Sequence, residues 1–269
     1  MTPKRFRTLV LAAYETNGRH DLPWRKTRDP YRILVSEIML QQTQVERVLP
    51  LYHAFLEAFP TVEALAEAPL SQVLRAWQGL GYNRRAKMLH EAAKEIVRAH
   101  GGTLPRDVRS LEALPGIGPY TARAVAAFAY NEDVVFVETN LRTAVIHHFF
   151  PSEEQVTDAA IRAVLERALP KGDARRWYSA LMDYGAALKR SGIRTNAKSA
   201  HYAKQAGFRG SGREARGALL RALAKGPEPE TYLLEILGPE RRAQLQEQLQ
   251  KLQREGLIQK ARTHYRLAD

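Results

Sequence analysis

Apolar residues recur at helical spacing along almost the whole chain, and this periodicity constrains the fold more than any other feature. Segments such as LSQVLRAW, AKMLHEAAKEIV and ARAVAAFAY place their apolar side chains on one face of a helix. Turns rich in glycine separate such segments, at GLGYN, HGGTLP and LPGIGP. The pattern predicts an all-α main domain. We expect one helix to begin with Asn83 as its cap and to end at Gly101-Gly102, and another to begin at Thr157.

The end of the chain predicts a second, smaller domain. Three helical patterns, REARGALLRALAK, ETYLLEIL and ERRAQLQEQLQKLQRE, precede GLIQKARTHYRLAD, whose alternation predicts a two-stranded hairpin. This order is typical of a winged helix, and a helical protein–protein module is the alternative. We therefore expect a main domain over residues 1–188, a connector over 189–212 and a winged-helix-like domain over 213–269.

The charge of the chain favours a polyanionic partner. Lys and Arg number 41 against 29 Asp and Glu, which gives a net charge of +12 and a pI near 10.0. Nucleic acid is the leading candidate. From Lys189 to Arg216 the chain holds eight Lys or Arg and one acid, Glu214. This stretch is either a solvated linker or a phosphate-binding segment, and Tyr202 and Phe208 favour a packed segment that faces DNA.

Other classes of protein are excluded by what the sequence lacks. No stretch approaches the roughly 20 apolar residues that cross a bilayer, and the N-terminal residues carry no cleavage signature. We therefore expect a cytoplasmic protein with no membrane partner. The chain has no cysteine, which excludes disulfides, thiolate nucleophiles and cysteine-ligated metals. Its eight His residues show no ligand spacing, so no metal site is predicted.

Glu37 is the first candidate for chemistry, because it lies inside the apolar run ILVSEIML. If its helix lines a cavity, desolvation raises the pKa of the carboxyl group, which can then donate a proton and afterwards activate water. The alternative is a Glu on the exposed edge of an amphipathic helix. The polar QQTQ that follows favours the functional interpretation. Gln41 and Gln42 can bind base edges or fill the gap left by an extruded nucleotide.

Two further motifs support chemistry on DNA. In LPGIGPYT, the backbone amides at Gly116 and Gly118 lie beside a helix start and can bind a phosphate, although helix connections also use glycine for steric reasons alone. In VVFVETN, Glu138 follows an extended stretch and precedes a helix. It is either the N-terminal cap of that helix or a second carboxylate that stabilises a positively charged sugar.

Several motifs together resemble a known family. LPWR, SEIMLQQTQV, WQGLGY, LPGIGPYTA and ALMDYGA resemble, in order, those of the MutY branch of the helix-hairpin-helix DNA glycosylases, over residues 5 to 187. The resemblance implies a two-lobed, all-α fold whose hairpin binds DNA. It also implies that a base flipped into a cleft is removed, namely adenine opposite 8-oxoguanine or guanine.

The resemblance also implies roles for single residues. Glu37 matches the catalytic acid, and Glu138 stands where the family has the Asp of a D-G-N motif. Tyr120 occupies the position of the catalytic Lys of endonuclease III relatives, so a Schiff-base lyase step is not expected. Gln42 lies in the stretch that wedges into the duplex, and Tyr82 in the stretch that supports it. The remaining predicted DNA contacts are Gln41, Gly116, Gly118, Arg84 and Lys198.

This sequence departs from the family at two further places. The family holds a four-cysteine iron–sulfur cluster after ALMDYGA, where this chain has LKRSGIRTNAKSAHYAKQ. We expect no cluster and no other cofactor, with the basic loop as a structural substitute, and the only ion kept open is a monovalent cation at the hairpin. The Nudix-like domain that recognises 8-oxoguanine is replaced by the winged-helix-like domain.

Three functions follow from these observations. The first is a monofunctional adenine glycosylase that acts as a monomer on double-stranded DNA with a mismatched or damaged base. The second is a thymine/uracil glycosylase acting at guanine mismatches, since that branch also carries Tyr beside the hairpin. The third is a catalytically silent DNA-binding protein, which Glu138 in place of Asp favours.

Overall fold

The structure is a computed structural model that describes residues 1–200 and 207–269. Helices dominate these residues, as the apolar periodicity predicts. The helices are α1 (Pro3–Asn17), α2 (Pro23–Lys26), α3 (Pro30–Leu40), α4 (Val45–Ala58), α5 (Val62–Glu67), α6 (Leu70–Ala76), α7 (Arg84–His100), α8 (Val108–Glu112), α9 (Pro119–Tyr130), α10 (Thr139–Phe149), α11 (Asp158–Ala168), α12 (Ala174–Arg190), α13 (Gly212–Lys225), α14 (Glu230–Leu237) and α15 (Arg242–Arg254). The strands are β1 (Glu228–Pro229), β2 (Ile258–Ala261) and β3 (His264–Leu267).

The chain forms two compact units, and each combines segments that are distant in sequence. The first unit comprises Met1–Glu37, Leu104–Ala113 and Ile117–Lys204, and the second comprises Ile38–Thr103, Leu114–Gly116 and Gln205–Asp269. Residues 201–206 lie outside the described part of the chain, and the predicted contribution of Tyr202 lies there with them. The expected division at residues 188 and 213 stays a prediction.

The first unit has a core of aromatic and aliphatic side chains between α1, α10, α11 and α12. Phe6 and Trp177 meet edge to face, with ring centroids 5.9 Å apart. Phe136 stacks on Tyr178 at 4.1 Å, and the Tyr178 hydroxyl donates to the Val134 carbonyl at 2.8 Å. These contacts fix the extended stretch that leads to α10, because Tyr178 both packs on its Phe136 ring and donates to its Val134 carbonyl.

Gly185 sets the distance between α12 and the start of α10. A Cβ atom at this position would lie 2.1 Å from the backbone oxygen of Asn140. No side chain fits there without displacing backbone, so the glycine of ALMDYGA lets the two helices approach closely. The residues at the start of α10 are thereby held in place.

The second unit contains α4–α7 and the C-terminal elements. Trp77 and Phe55 are fully buried in it. The Arg75 side chain donates to the Ala224 carbonyl at 3.0 Å, and the Lys87 ammonium donates to the Glu255 carbonyl at 2.7 Å. These bonds tie the C-terminal elements to α6 and α7.

The C-terminal elements have the order and the sheet of a winged helix, as predicted. The strands β2 and β3 pair antiparallel, with Ile258 opposite Leu267. The sheet has the order β1-β3-β2, and β1, at Glu228–Pro229, was not predicted. Two residues with a proline leave no alternation to detect.

The cap predictions have different outcomes. Thr157 caps α11 by accepting a hydrogen bond from the Ala160 amide, and α7 ends at Gly101 in the left-handed conformation, both as predicted. Asn83 stands at the N-cap position of α7, as predicted, but it does not cap the helix with its side chain. Asn83 has helical backbone angles and its side chain makes no capping bond, because a capping side chain requires an extended backbone.

Two other expectations concern the surface of the described residues. Phe208 is 60% exposed and lies against the Arg213 guanidinium, so it is not packed as expected. The residues that follow it in FRGSGRE are glycine, serine and charged residues. They offer Phe208 no apolar side chain with which to form a core. Among the helices of residues 1–200 and 207–269, none is both long and apolar enough to cross a membrane.

Candidate active site

Glu37 lies near the end of α3 and is buried, with 6% of its surface exposed. The Tyr120 hydroxyl donates to its Oε2 atom at 3.1 Å. Burial raises the pKa of Glu37 to about 7; the hydrogen bond from Tyr120 opposes this shift and the charge of Glu138 adds to it. The carboxyl group is therefore close to half protonated at neutral pH, where a general acid works best. The interpretation of Glu37 as an exposed edge residue is wrong.

Tyr120 connects the glycine turn to this acid. It follows Pro119 at the start of α9, and its ring meets Phe136 edge to face at 5.5 Å. Burial, followed by the charges of Glu37 and Glu138, raises the pKa of Tyr120 well above its ordinary value. The phenol therefore keeps its proton and acts as a fixed hydrogen-bond donor.

Glu138 is the N-cap of α10. Its Oε1 atom accepts hydrogen bonds from the backbone amides of Asn140 at 2.7 Å and Leu141 at 2.8 Å. Its Oε2 atom accepts from the Asn140 side chain at 3.3 Å. Burial raises the pKa of Glu138, while the two backbone amides act in the opposite direction. The capping interpretation is confirmed, and it does not exclude the other, because the capped carboxylate is oriented and its charge raises the pKa of Glu37.

A buried ion pair joins two of the sequence motifs. Arg25 of LPWR donates to both carboxylate oxygens of Asp183 of ALMDYGA, at 2.5 and 3.0 Å. Arg19 binds the same carboxylate at 2.6 Å. The hydrogen bonds and charge of Arg25, followed by those of Arg19, keep the pKa of Asp183 below its ordinary value despite its burial. The charge of Arg25 also acts on Glu37, lowering its pKa. The sequence does not predict this pair, because the two motifs are more than 150 residues apart and carry no signal of contact.

The glycine turn before α9 has two distinct glycine positions. Gly116 has a φ of +71°, and a Cβ atom there would lie 2.4 Å from the Cβ of Met88. Gly118 is the N-cap of α9 and uses no side chain for capping, while a Cβ there would meet nothing within 4 Å. The first glycine is thus required by close packing and backbone angle. The second leaves the N-terminus of α9 accessible to an anion, as the phosphate interpretation requires.

The predicted wedge residues are held by Arg85, which sequence reasoning missed. Its guanidinium bonds to two turns: the turn that follows α3 and contains Gln42, and the turn that precedes α7 and contains Tyr82. It donates to the carbonyls of Ile38, Met39 and Gln41 at 2.7, 3.1 and 2.5 Å, and to the Thr43 hydroxyl and the carbonyls of Leu80 and Gly81 at 3.2 Å each. Burial lowers the pKa of Arg85 to about 10, so it stays charged at neutral pH.

Gln42 and Tyr82 lie at the tips of these two turns. Both have left-handed backbone angles, with φ of 56° and 48°, which non-glycine residues rarely adopt. The Arg85 guanidinium also lies 5.5 Å from the centre of the Tyr82 ring. A strained backbone persists only where its surroundings enforce it, and here Arg85 enforces it.

The other predicted contacts lie in different surroundings. Gln41, Gln42, Tyr82, Arg84 and Gly116 line one cavity of the second unit. Lys198 lies in a short 3-10 turn of the first unit, and its ammonium donates to the Pro151 carbonyl at 2.7 Å. Its role in DNA binding stays a prediction.

The segment after α12 is held in the first unit by hydrogen bonds to backbone groups. The Val156 amide donates to the Lys198 carbonyl at 2.9 Å, the Ala200 amide donates to the Val156 carbonyl at 3.0 Å, and Thr195 donates to the Thr143 carbonyl at 3.0 Å. An iron–sulfur cluster requires cysteine thiolates, and the chain has none. The residues present do not fit the cluster.

Comparisons with known proteins agree with this site. A family model described as HhH-GPD superfamily base excision DNA repair protein matches residues 35–171. An adenine DNA glycosylase of Mycolicibacterium smegmatis is 38% identical over 269 residues, which cover 93% of this chain and 91% of that protein. Another adenine DNA glycosylase, of Mycobacterium tuberculosis, is 51% identical over 139 residues, or 51% of this chain and 45% of that protein.

A solved structure extends the comparison to the fold. The structure of a thermostable thymine-DNA glycosylase has a TM-score of 0.60 and 30% identity, and the match covers 68% of this chain and 86% of that chain. The matched family model, the extent of the identity and the buried acid site agree with one another. This chain belongs to the HhH-GPD superfamily of base excision DNA repair proteins, and it is a DNA N-glycosylase.

Proposed function

We propose that this glycosylase removes adenine opposite 8-oxoguanine or guanine. The observation that carries the proposal is the buried Glu37, whose carboxyl group has a pKa of about 7 and accepts a hydrogen bond from Tyr120. A purine presents N7 as a proton acceptor, and a neutral leaving base departs more readily than an anion. The adenine DNA glycosylase of Mycolicibacterium smegmatis, similar over 93% of this chain, supports the same base.

The reaction begins with proton transfer from Glu37 to the adenine ring. The bond between the sugar C1′ and the base N9 then breaks, and its electron pair leaves with the protonated base. Tyr120, whose phenol keeps its proton, holds the Glu37 carboxyl group in one orientation. Mutagenesis of general acids in other enzymes gives losses of about 10²–10⁴-fold for this kind of step.

Glu138 stabilises the positive sugar that remains. The anionic form of Glu138 is favoured by the two backbone amides of α10 that donate to it and by the positive end of the helix dipole. Water then adds to C1′ and gives its proton to the Glu37 carboxylate, which restores the acid and leaves an abasic site. Tyr120 offers no amine, so the sugar–phosphate backbone stays intact.

The Gln41–Gln42 turn, Tyr82 and Arg84 contact the duplex at the extruded nucleotide, and Gly116, Gly118 and Lys198 contact phosphates. Glu37, Tyr120 and Glu138 come from one chain, which supports a monomer as the active form. We further propose that the reaction requires no iron–sulfur cluster and that the enzyme acts on chromosomal DNA in the cytoplasm.

A panel of duplexes under single-turnover conditions tests the proposal. Adenine opposite 8-oxoguanine, guanine or cytosine is compared with thymine and uracil opposite guanine, and strands are cleaved with alkali at abasic sites. We expect cleavage of the adenine strands opposite 8-oxoguanine and guanine, with none before alkali. Cleavage restricted to the pyrimidine strands would contradict the proposal.

A thymine/uracil glycosylase is the second candidate. The observation that favours it is the likeness to the thermostable thymine-DNA glycosylase, at 30% identity over 68% of this chain. The same panel separates the two candidates. Because the chain is an enzyme, the silent DNA-binding alternative is not taken further.

A further inference from the structure

A polar cavity lies within the first unit, and arginine side chains form much of its wall. It has a volume of about 300 Å³, at the lower end of the range of about 300–1,000 Å³ that small-molecule pockets have. Among the described residues that line it, four are arginines and one is an acid, namely Arg25, Arg28, Arg175, Arg176 and Asp173. We name it the arginine cavity. A local excess of guanidinium groups favours an anionic ligand.

Two of the four guanidinium groups already have acid partners. Arg25 binds both carboxylate oxygens of Asp183, at 2.5 and 3.0 Å. Arg176 pairs with Glu15 at 2.6 Å and with Asp173 at 3.6 Å. These three acids are therefore engaged by Arg25 and Arg176, and they do not neutralise the other two arginines of the wall.

Arg28 and Arg175 carry charges that no acid of the first unit neutralises. Neither takes part in the ion pairs that the described residues of this unit form. Burial, followed by the charge of Arg28, lowers the pKa of Arg175, so the two cations lie close enough to repel each other. An anion bound between them would offset this repulsion.

The Arg175 guanidinium is held in place and still has donors to offer. It donates to the backbone carbonyls of Phe128, Arg25 and Thr27. A guanidinium has five N–H donors, and since three are used in these bonds, two remain for a ligand. All three acceptors are neutral carbonyls, so the bonds orient the guanidinium without neutralising it.

The loop before α12 is also fixed before any ligand binds. The Asn131 side chain donates to the Gly172 carbonyl at 2.6 Å and accepts from the Arg175 amide at 2.9 Å. The Gly172 amide donates to both carboxylate oxygens of Asp133, at 3.0 and 2.9 Å. A wall that is already ordered lowers the entropic cost of binding.

A phosphate group matches this cavity better than a nucleobase does. Its oxygens can accept from two guanidinium groups at once, and pairs between arginine and phosphate are bidentate and charge-assisted. A phosphate monoester carries close to two negative charges at neutral pH, which matches Arg28 and Arg175. The Tyr14 ring already lies against the Arg25 guanidinium at 5.6 Å and the His20 ring at 4.4 Å, so it is not available to stack on a base.

The arginine cavity is separate from the phosphate contact proposed at Gly118. Gly118 precedes the first residue of α9, and Asn131, which lines the cavity, follows the last. The 12 residues of this helix span about 18 Å. A phosphate bound at Gly118 therefore does not reach the cavity.

We propose that the arginine cavity binds a small phosphate-bearing ligand between Arg28 and Arg175, either inorganic phosphate or the terminal phosphate of a free nucleotide. Arg28 lies between α2 and α3, and Arg175 lies in the first turn of α12. The bound phosphate links these two segments and thereby stabilises the first unit. The inference does not depend on which base the enzyme removes.

Calorimetric titration and thermal unfolding of the full chain test the inference. The probes are inorganic phosphate and deoxyadenosine monophosphate, each compared with chloride at the same ionic strength. We expect one phosphate group to bind per chain, and the unfolding midpoint to rise by about 3 °C at a concentration about tenfold above the Kd. Tighter binding of the nucleotide would identify a nucleotide as the ligand, and tighter binding of inorganic phosphate would identify the free ion. Both results support the inference.

Arg28→Gln is the decisive variant, because Arg28 is exposed and its replacement should leave the fold intact. We expect it to weaken phosphate binding by about tenfold or more, since one of two charged partners is lost. Arg167→Gln is the matched control. Arg167 is an exposed arginine of the same unit that donates to the Ala163 carbonyl of its own helix and does not line the cavity. This variant should keep the parental Kd.

Four results would overturn the inference. Phosphate could stabilise the parent no more than chloride does, Arg28→Gln could keep the parental Kd for phosphate, or Arg167→Gln could lose as much affinity. The fourth concerns DNA. If Arg28→Gln weakens duplex binding and lowers its salt dependence by about one phosphate contact, Arg28 binds the DNA backbone instead. If the parent removes thymine instead of adenine, the proposed function fails while these binding outcomes keep their meaning.

Discussion

The surroundings of Glu37 and of Arg85 show opposite uses of a buried charged group. Glu37 is buried and accepts a hydrogen bond from Tyr120, and its pKa rises to about 7. Arg85 is partly buried but donates to six acceptors in two turns. It stays charged at neutral pH, because burial lowers its pKa only to about 10.

The difference shows how hydrogen bonding separates chemistry from scaffolding. The charged form of a buried acid that accepts few hydrogen bonds is poorly solvated. The pKa of the acid therefore rises, and the group can exchange a proton near neutral pH. A guanidinium whose two terminal nitrogens are hydrogen-bonded keeps its charge and holds backbone carbonyls in fixed positions. Mutations of the acid should therefore change the rate of reaction, and mutations of the cation should change stability.

The largest effect is expected from Glu37→Gln. The amide cannot donate an acidic proton or activate water, so the single-turnover rate of base excision should fall by about 10³-fold or more. Affinity for DNA should stay within about twofold, because phosphate contacts dominate binding. Glu112→Gln, which alters a partly exposed ion pair with Arg123, is the control and should keep the parental rate.

The second largest effect is expected when the cation, Arg85, is replaced. Arg85→Met leaves the carbonyls of both turns without their donor, and should lower the free energy of unfolding by about 2–4 kcal/mol. Arg84→Met, at the exposed neighbouring position, should change it by less than about 0.5 kcal/mol. Urea unfolding measures both. Equal stability of the two variants would contradict the role assigned to Arg85.

Glu37 should also cost the protein stability above neutral pH. Its proton is held more tightly in the folded state, where the pKa is about 7, than in the unfolded chain, where the carboxyl group has its ordinary pKa of 4.5. The folded state is therefore penalised as pH rises from 4.5 through 7, by up to about 3 kcal/mol. Glu37→Gln removes this penalty, so it should be more stable than the parent at pH 8. The advantage should disappear near pH 4. Unfolding curves of both proteins at the two pH values measure it. A difference in the free energy of unfolding that is the same at pH 4 and pH 8 would contradict this explanation.

A smaller effect is expected from Tyr120→Phe. The hydroxyl donates to the Glu37 carboxylate and thereby lowers the pKa of this acid. Without it the pKa rises, so the fall in excision rate at alkaline pH should move to higher pH. The maximal rate should drop by about tenfold as the acid loses its orientation. An unshifted pH profile would show that the hydrogen bond does not form in the reacting enzyme.

The smallest effect is expected from Glu138→Asp. Aspartate also caps helices well, so the carboxylate should stay at the start of α10. We expect the excision rate to change by less than about tenfold, because the anion moves by about one bond length. Glu138→Gln, which removes the anion, should lower the rate by more than Glu138→Asp does. Similar rates for both variants would remove the electrostatic role from Glu138.

Local patterns in the sequence were sufficient for much of the fold. The helical periodicity predicted the helices, and the alternation after residue 255 predicted the pairing of β2 and β3. The cap at Thr157 followed from residue type alone. Asn83 has the same residue type as many caps and stands at the N-cap position of α7, yet its backbone is helical and its side chain makes no capping bond, which residue type alone does not reveal.

The candidate site divides in the same way. Glu37, Tyr120 and Glu138 could be chosen from the sequence because each lies in a motif with a recognisable local pattern. Their convergence could not be deduced from residues alone, since Glu37 and Tyr120 are 83 positions apart. The Arg25–Asp183 pair and the reach of Arg85 across two turns carried no local signal at all.

The sequence by itself determined the types of element, the basic charge, the absence of a cysteine-ligated cluster and the residues able to exchange protons. These properties depend on composition and on patterns within about 20 residues. Only the tertiary structure decided that Glu37 is buried beside Tyr120, that Glu138 both caps α10 and acts on Glu37, and that Arg28 and Arg175 line one cavity. The reason is physical, because pKa values and binding surfaces depend on which groups meet in space, and packing brings together residues far apart in the chain.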